Sequence, residues 1–134
     1  MKKRSRIRVP VTQGLKDIYA MDMHLPYQSA CAGKFSVVAF ARMAAAISVV
    51  RYALELGQTK TTEAIPILEA AIAVLQHVRQ RGDETDVWEI TESERPAVLD
   101  GIQIAEQCIG TLSVAMLEQA AALLLQQVNS ETSA

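Results

Sequence analysis

The chain is 134 residues long, half of it hydrophobic, with a formal net charge of -2. That length suits one domain, and that hydrophobic share excludes wholesale disorder. Two cysteines exclude a disulfide framework and a four-cysteine zinc site, and the near-neutral charge excludes coating of nucleic acid by bulk electrostatics. With aromatics at only 4%, the core must be built from Ala, Val, Ile and Leu.

The charge is unevenly spread. Lys2, Lys3, Arg4, Arg6, Arg8 and Lys16 crowd the first sixteen positions without an acid. Asp83, Glu84, Asp86, Glu89, Glu92, Glu94, Asp100 and Glu106 face a single base, Arg95. Such a basic arm and acidic segment can meet within a protomer, meet across a dimer, or address separate partners.

Residues 1–33 read as an irregular basic arm, because Pro10, Gly14, Pro26 and Gly33 punctuate them. At most, the spacing of Leu15, Ile18, Tyr19 and Asp22 allows a short helical stretch over 13–23. The basic start has no apolar run behind it to make a signal peptide. Residues 35–50 are the most hydrophobic stretch, but they are short for a membrane span and carry Arg42. The expectation is therefore a cytoplasmic chain without a membrane segment.

From 34 to 56 the pattern predicts a helix, with Phe35, Ala39, Met43, Ala46, Ile47, Val50 and Leu54 at intervals of three and four. It is apolar nearly all round, which predicts a central helix buried by several neighbours. A second helix is predicted to start at a Thr61 or Thr62 cap, to tolerate Pro66 in its first turn, and to end at Gly82. Arg79 and Arg81 would sit in its last turn, where cations suit the helix dipole.

Residues 83–91 follow as an acidic connector. Its Trp88, the sole tryptophan, is expected to pack inward over the bundle end, with an exposed partner-binding role as the alternative. Thr91 and Glu94 have capping-box spacing, with the Glu94 carboxylate able to reach back to the Thr91 amide. A third helix then runs on Val98, Ile102, Ala105 and Ile109. The segment 110–113 should turn the chain back into a last helix on Met116, Leu117, Ala120 and Leu124. The fold class expected is all-α: a four-helix bundle-like single domain over 34–129, behind the arm 1–33 and ahead of a disordered tail 130–134.

No catalytic constellation stands out. The glycines are scattered singly, and neither His24 nor His77 has a Glu three residues before it. His24, Asp22 and Cys31 lie close in sequence without a zinc spacing, and Cys108 reads as a small core residue. No cofactor, metal or catalytic residue is expected. The residues singled out for binding are Lys2, Lys3, Arg4, Arg6 and Arg8, as a salt-sensitive phosphate or acidic-partner arm, and Trp88.

The basic arm and the alanine-rich first helix form part of a familiar pattern, with Trp88, Glu89, Ile90 and Thr91 entering the third helix and Leu112, Ser113 and Val114 preceding the last. It resembles a loose group of small helical proteins encoded by bacteriophages, prophages and related mobile elements, over roughly residues 34–125. The resemblance implies an accessory protein acting in a bacterial host and carries no catalytic set. Together these readings predict a non-enzymatic interaction protein, a homodimer, that modulates a protein partner. A nucleic-acid-associated regulator using the arm is the alternative.

Overall fold

The computed structural model describes residues 9–57 and 63–132 and is all-helical, with five helices among them. They are α1 (Gln13–Cys31), α2 (Val37–Leu56), α3 (Ala64–Thr85), α4 (Arg95–Ile109) and α5 (Val114–Thr132). Thr61 and Thr62, read as a helix cap, lie outside the described residues, as do the arm cations Lys2, Lys3, Arg4, Arg6 and Arg8.

The largest departure from expectation is α1. Positions 13–31 are one continuous helix where an irregular arm was expected. Thr12 starts it, its hydroxyl accepting a hydrogen bond from the Leu15 amide at 3.2 Å. Pro26 lies inside it, which forfeits one backbone hydrogen bond and ordinarily kinks or breaks a helix. Packing outweighs that cost, since Met23, Pro26 and Ala30 form a buried row. Gly33, with φ at +75°, then turns the chain toward α2.

Ser36 caps α2, its hydroxyl accepting from the Ala39 amide at 3.1 Å. As expected, α2 is the central helix and packs against all four others. Met43, Ile47, Val50, Ala53 and Leu54 are almost wholly shielded. By length and composition α2 is apolar enough to cross a membrane. Here the residues named above form the middle of the hydrophobic core.

α3 runs one turn past the predicted stop. Gly82 stays helical, and Asp86 ends the helix in the left-handed conformation with φ of 61°. The reason is the indole of Trp88. A methyl group built on Gly82 would lie 2.5 Å from two ring carbons, so the glycine supplies a flat seat for the ring. α3 and α4 pack closely, with Gly101 facing the Ala71 side chain.

The capping box at Thr91 forms by half. The Thr91 amide donates to the Glu94 carboxylate at 2.9 Å, but the Glu94 amide donates to the Thr91 carbonyl and not to its hydroxyl, which also lies 3.2 Å from the Ser93 hydroxyl. The segment 110–113 does turn the chain back. Met116 comes to lie by Gly57, and farther along α5 the Tyr52 hydroxyl donates to Gln127 on the same side of α2. Val9 is drawn into this end, its carbonyl accepting from the Val114 amide at 3.0 Å, with Pro10 bridging to Ser113. The last helix continues to Thr132, beyond the expected start of a disordered tail.

Candidate binding groove

α2 was expected to be apolar nearly all round and buried by several neighbours, and its cover is incomplete on one side. α3 and α5 lie on it without approaching each other, and a strip of α2 stays open between them. Val37, Ala41, Ala44, Ala45 and Ser48 form the floor at helical spacing, and Ile72 with Leu124 supplies apolar flanks. Phe40 and Trp88 close one end, their ring centroids 5.2 Å apart. The resulting cavity is about 760 Å³ and broadly open to solvent. Small side chains on the floor explain why it is a groove, because nothing on α2 protrudes to fill the gap.

The rim is polar. The Arg51 guanidinium donates to Glu69 at 2.8 Å and to Glu55 at 3.2 Å, and lies over the Tyr52 ring. The hydrogen bond to Glu69 holds the Arg51 proton more firmly than usual, against the opposing effect of burial. Arg79 sits 3.7 Å from Asp83 farther along. These are exposed pairs, worth little to stability and easily exchanged for a ligand's charges. Neither histidine and neither cysteine lines the groove.

Trp88 is half-buried, flat on Gly82 and against Phe40, so it packs inward while presenting an edge to the groove. The connector that carries it is held by Arg81. This guanidinium makes a two-pronged pair with Glu94 at 2.8 and 3.2 Å and donates to the Glu89 carbonyl at 2.9 Å. Burial alone would raise the Glu94 carboxyl. Arg81 and the Thr91 amide and hydroxyl outweigh it, and the net shift is downward. Sequence reasoning gave Arg81 only a dipole role, because its partner lies thirteen residues away across a loop.

The other residues singled out in the sequence scatter. His24 pairs with Glu106 of α4, not with Cys31. Cys31 is exposed beside Tyr27, whose phenol is pushed up by burial and then by the neighbouring thiol. Cys108 is buried, which raises its thiol, and His77 is exposed on α3. Among the described residues no three His, Cys, Asp or Glu side chains gather as a metal site. No protein family, curated protein sequence or solved structure was found to match the chain.

Proposed function

We propose that the protein is a non-enzymatic interaction module that receives an amphipathic helix of a partner protein in the groove between α3 and α5. The observation that carries this reading is the open strip on α2. Its floor, 37–48, runs about 16 Å along the helix, or three turns of a docked helix. Alanine and serine on the floor allow two helix axes to approach to about 8 Å. The apolar floor suits the inward row of such a helix, and Glu69, Arg79 and Asp83 suit its charged flanks. On this reading a four-helix bundle-like scaffold around α2 serves to present the groove. The setting proposed, an accessory protein of a phage or mobile element in the bacterial cytoplasm, rests on the sequence resemblance alone.

The test compares the full-length protein with Ala45→Trp, which fills the floor from an exposed position. Each is used to capture partners from bacterial lysate. A protein captured by the first and lost with Ala45→Trp is the expected result, with slowed amide exchange along 37–48 when that partner is added. Identical capture by both would overturn the groove. Captured nucleic acid, released by salt and lost on charge reversal of Arg4, Arg6 and Arg8, would favour the regulator reading instead.

A further inference from the structure

Among the described residues α5 packs on α2 and on no other helix, so it is a separable unit joined to α4 through residues 110–113. Nothing in that turn forbids a helix. Gly110 is already right-handed helical, at φ -63° and ψ -18°, no residue of the turn has a positive φ, and none is proline. The apolar stripe of α4 also continues through the turn in phase. Ile102, Ala105, Ile109, Leu112, Met116 and Ala120 follow one another at three or four residues, as on a single helix. We propose that α4 and α5 also form one continuous helix over 95–132, and that in this form two copies of the chain exchange α5, each laying it on the α2 of the other.

Straightening the turn leaves its amides with partners. The Thr111 and Leu112 amides donate three residues back, to the carbonyls of Cys108 at 2.9 Å and Ile109 at 3.2 Å. In a straight helix each moves to the carbonyl four back. The Val114 amide, 3.0 Å from the Val9 carbonyl, moves to that of Gly110. The Met116 amide leaves the Ser113 hydroxyl, at 3.3 Å, for the Leu112 carbonyl. The Ser113 cap and the Val9 contact are therefore what favour the turned form.

Exchange needs no new surface, because Leu117 and Ala120 are buried by the same α2 residues whichever copy supplies them. Each α2–α5 contact is replaced by an identical one, so the balance rests on the turn and on protein concentration. A short connection gives α5 an effective concentration in the millimolar range for its own α2, and exchange sets in near that range. In the dimer each groove is shared, its Leu124 and Gln127 wall coming from the other copy.

At about 1 mM the full-length protein should sediment as a mixture of monomer and dimer. Ser113→Ala removes the cap of the turned form and adds helix propensity to the straight one. With two chains per dimer, the dissociation constant should fall about a hundredfold. Two glycines inserted after Thr111 break the long helix and put the stripe out of phase, and should keep the protein monomeric at about 1 mM. In a dimer refolded from isotope-labelled and unlabelled copies, nuclear magnetic resonance should find the Tyr52 ring beside Gln127 of the other copy. A parent that stays monomeric at about 1 mM overturns the proposal. So does a Ser113→Ala protein that is folded by circular dichroism yet no more dimeric than the parent. An insertion variant that dimerises like the parent, or a Tyr52–Gln127 contact found only within one copy, does the same. The exchange is drawn from α5 and its turn, and does not depend on what the groove receives.

Discussion

Replacing Gly82 with Ala tests whether the Trp88 seat is real, because two effects of opposite sign meet there. In a helix interior Gly→Ala is stabilising by about 1 kcal/mol through propensity alone, an upper limit for Gly82 in the last turn of α3. The added methyl, however, lies 2.5 Å from Cδ2 and Cε2 of Trp88 and 2.8 Å from Cε3. Carbon contacts settle at about 3.5–4.0 Å, so the indole must retreat by roughly 1 Å and loosen its contact with Phe40. Overpacking of this kind costs about 1–3 kcal/mol. The net expectation is a loss of up to about 2 kcal/mol, with a change in tryptophan emission. Trp88→Ala alone should cost about 2–3 kcal/mol, near the low end for aromatic truncation because the ring is half-buried. In that background the clash is gone, and Gly82→Ala should now stabilise by up to about 1 kcal/mol. Urea unfolding followed by helical circular dichroism measures all four proteins. If Gly82→Ala stabilises the parent by that full amount and leaves its emission unaltered, the ring does not lie on the glycine.

Three further outcomes are expected. Glu94 has a folded-state carboxyl below its ordinary 4.5, so its contribution is complete at neutral pH and fades as pH falls from 4.5 through the folded value. Glu94→Gln should therefore cost about 1–3 kcal/mol at pH 7, with the gap to the parent closing toward pH 3; a gap independent of pH would refute the pairing. Gly101→Ala forces α3 and α4 apart at Ala71 and should destabilise by about 1–2 kcal/mol, with partial recovery in Gly101→Ala/Ala71→Gly; a more stable single variant in a melting experiment would contradict the packing. In native protein an alkylating reagent should modify Cys31 readily and Cys108 only on unfolding, as read by mass spectrometry; equal rates would place Cys108 outside the core.

Helix α2 was legible because its local signals agreed, a long apolar period above all, although the Ser36 cap that starts it three residues after the expected position 34 was not read. For α1 they conflicted. Pro26 argued for a break, and apolar residues on both faces blurred the period that Leu15, Tyr19, Met23, Pro26 and Ala30 mark on the inner side. The Thr12 cap was the signal that could have found it. Gly82 was misread for a related reason: helix stop and ring seat both call for glycine, and only the returning Trp88 tells them apart. The groove was hidden by its own composition, since an alanine on a buried face and one on an uncovered face look the same in sequence. Arg81 could not be matched to Glu94 before the path of the connector was known.

The hold of Arg81 on Glu94 and the Glu89 carbonyl also bears on the order in which the structure comes apart. It closes a loop of only thirteen residues between helices that pack tightly, whereas the Tyr52–Gln127 contact closes one of seventy-five. Short loops forfeit less chain entropy on closing, so the α3–α4 hairpin can persist as a cooperative unit after α5 has lifted away. Native-state hydrogen exchange should accordingly find the slowest amides in α3 and α4. Those of α5 should open first and uncover α2 well before global unfolding.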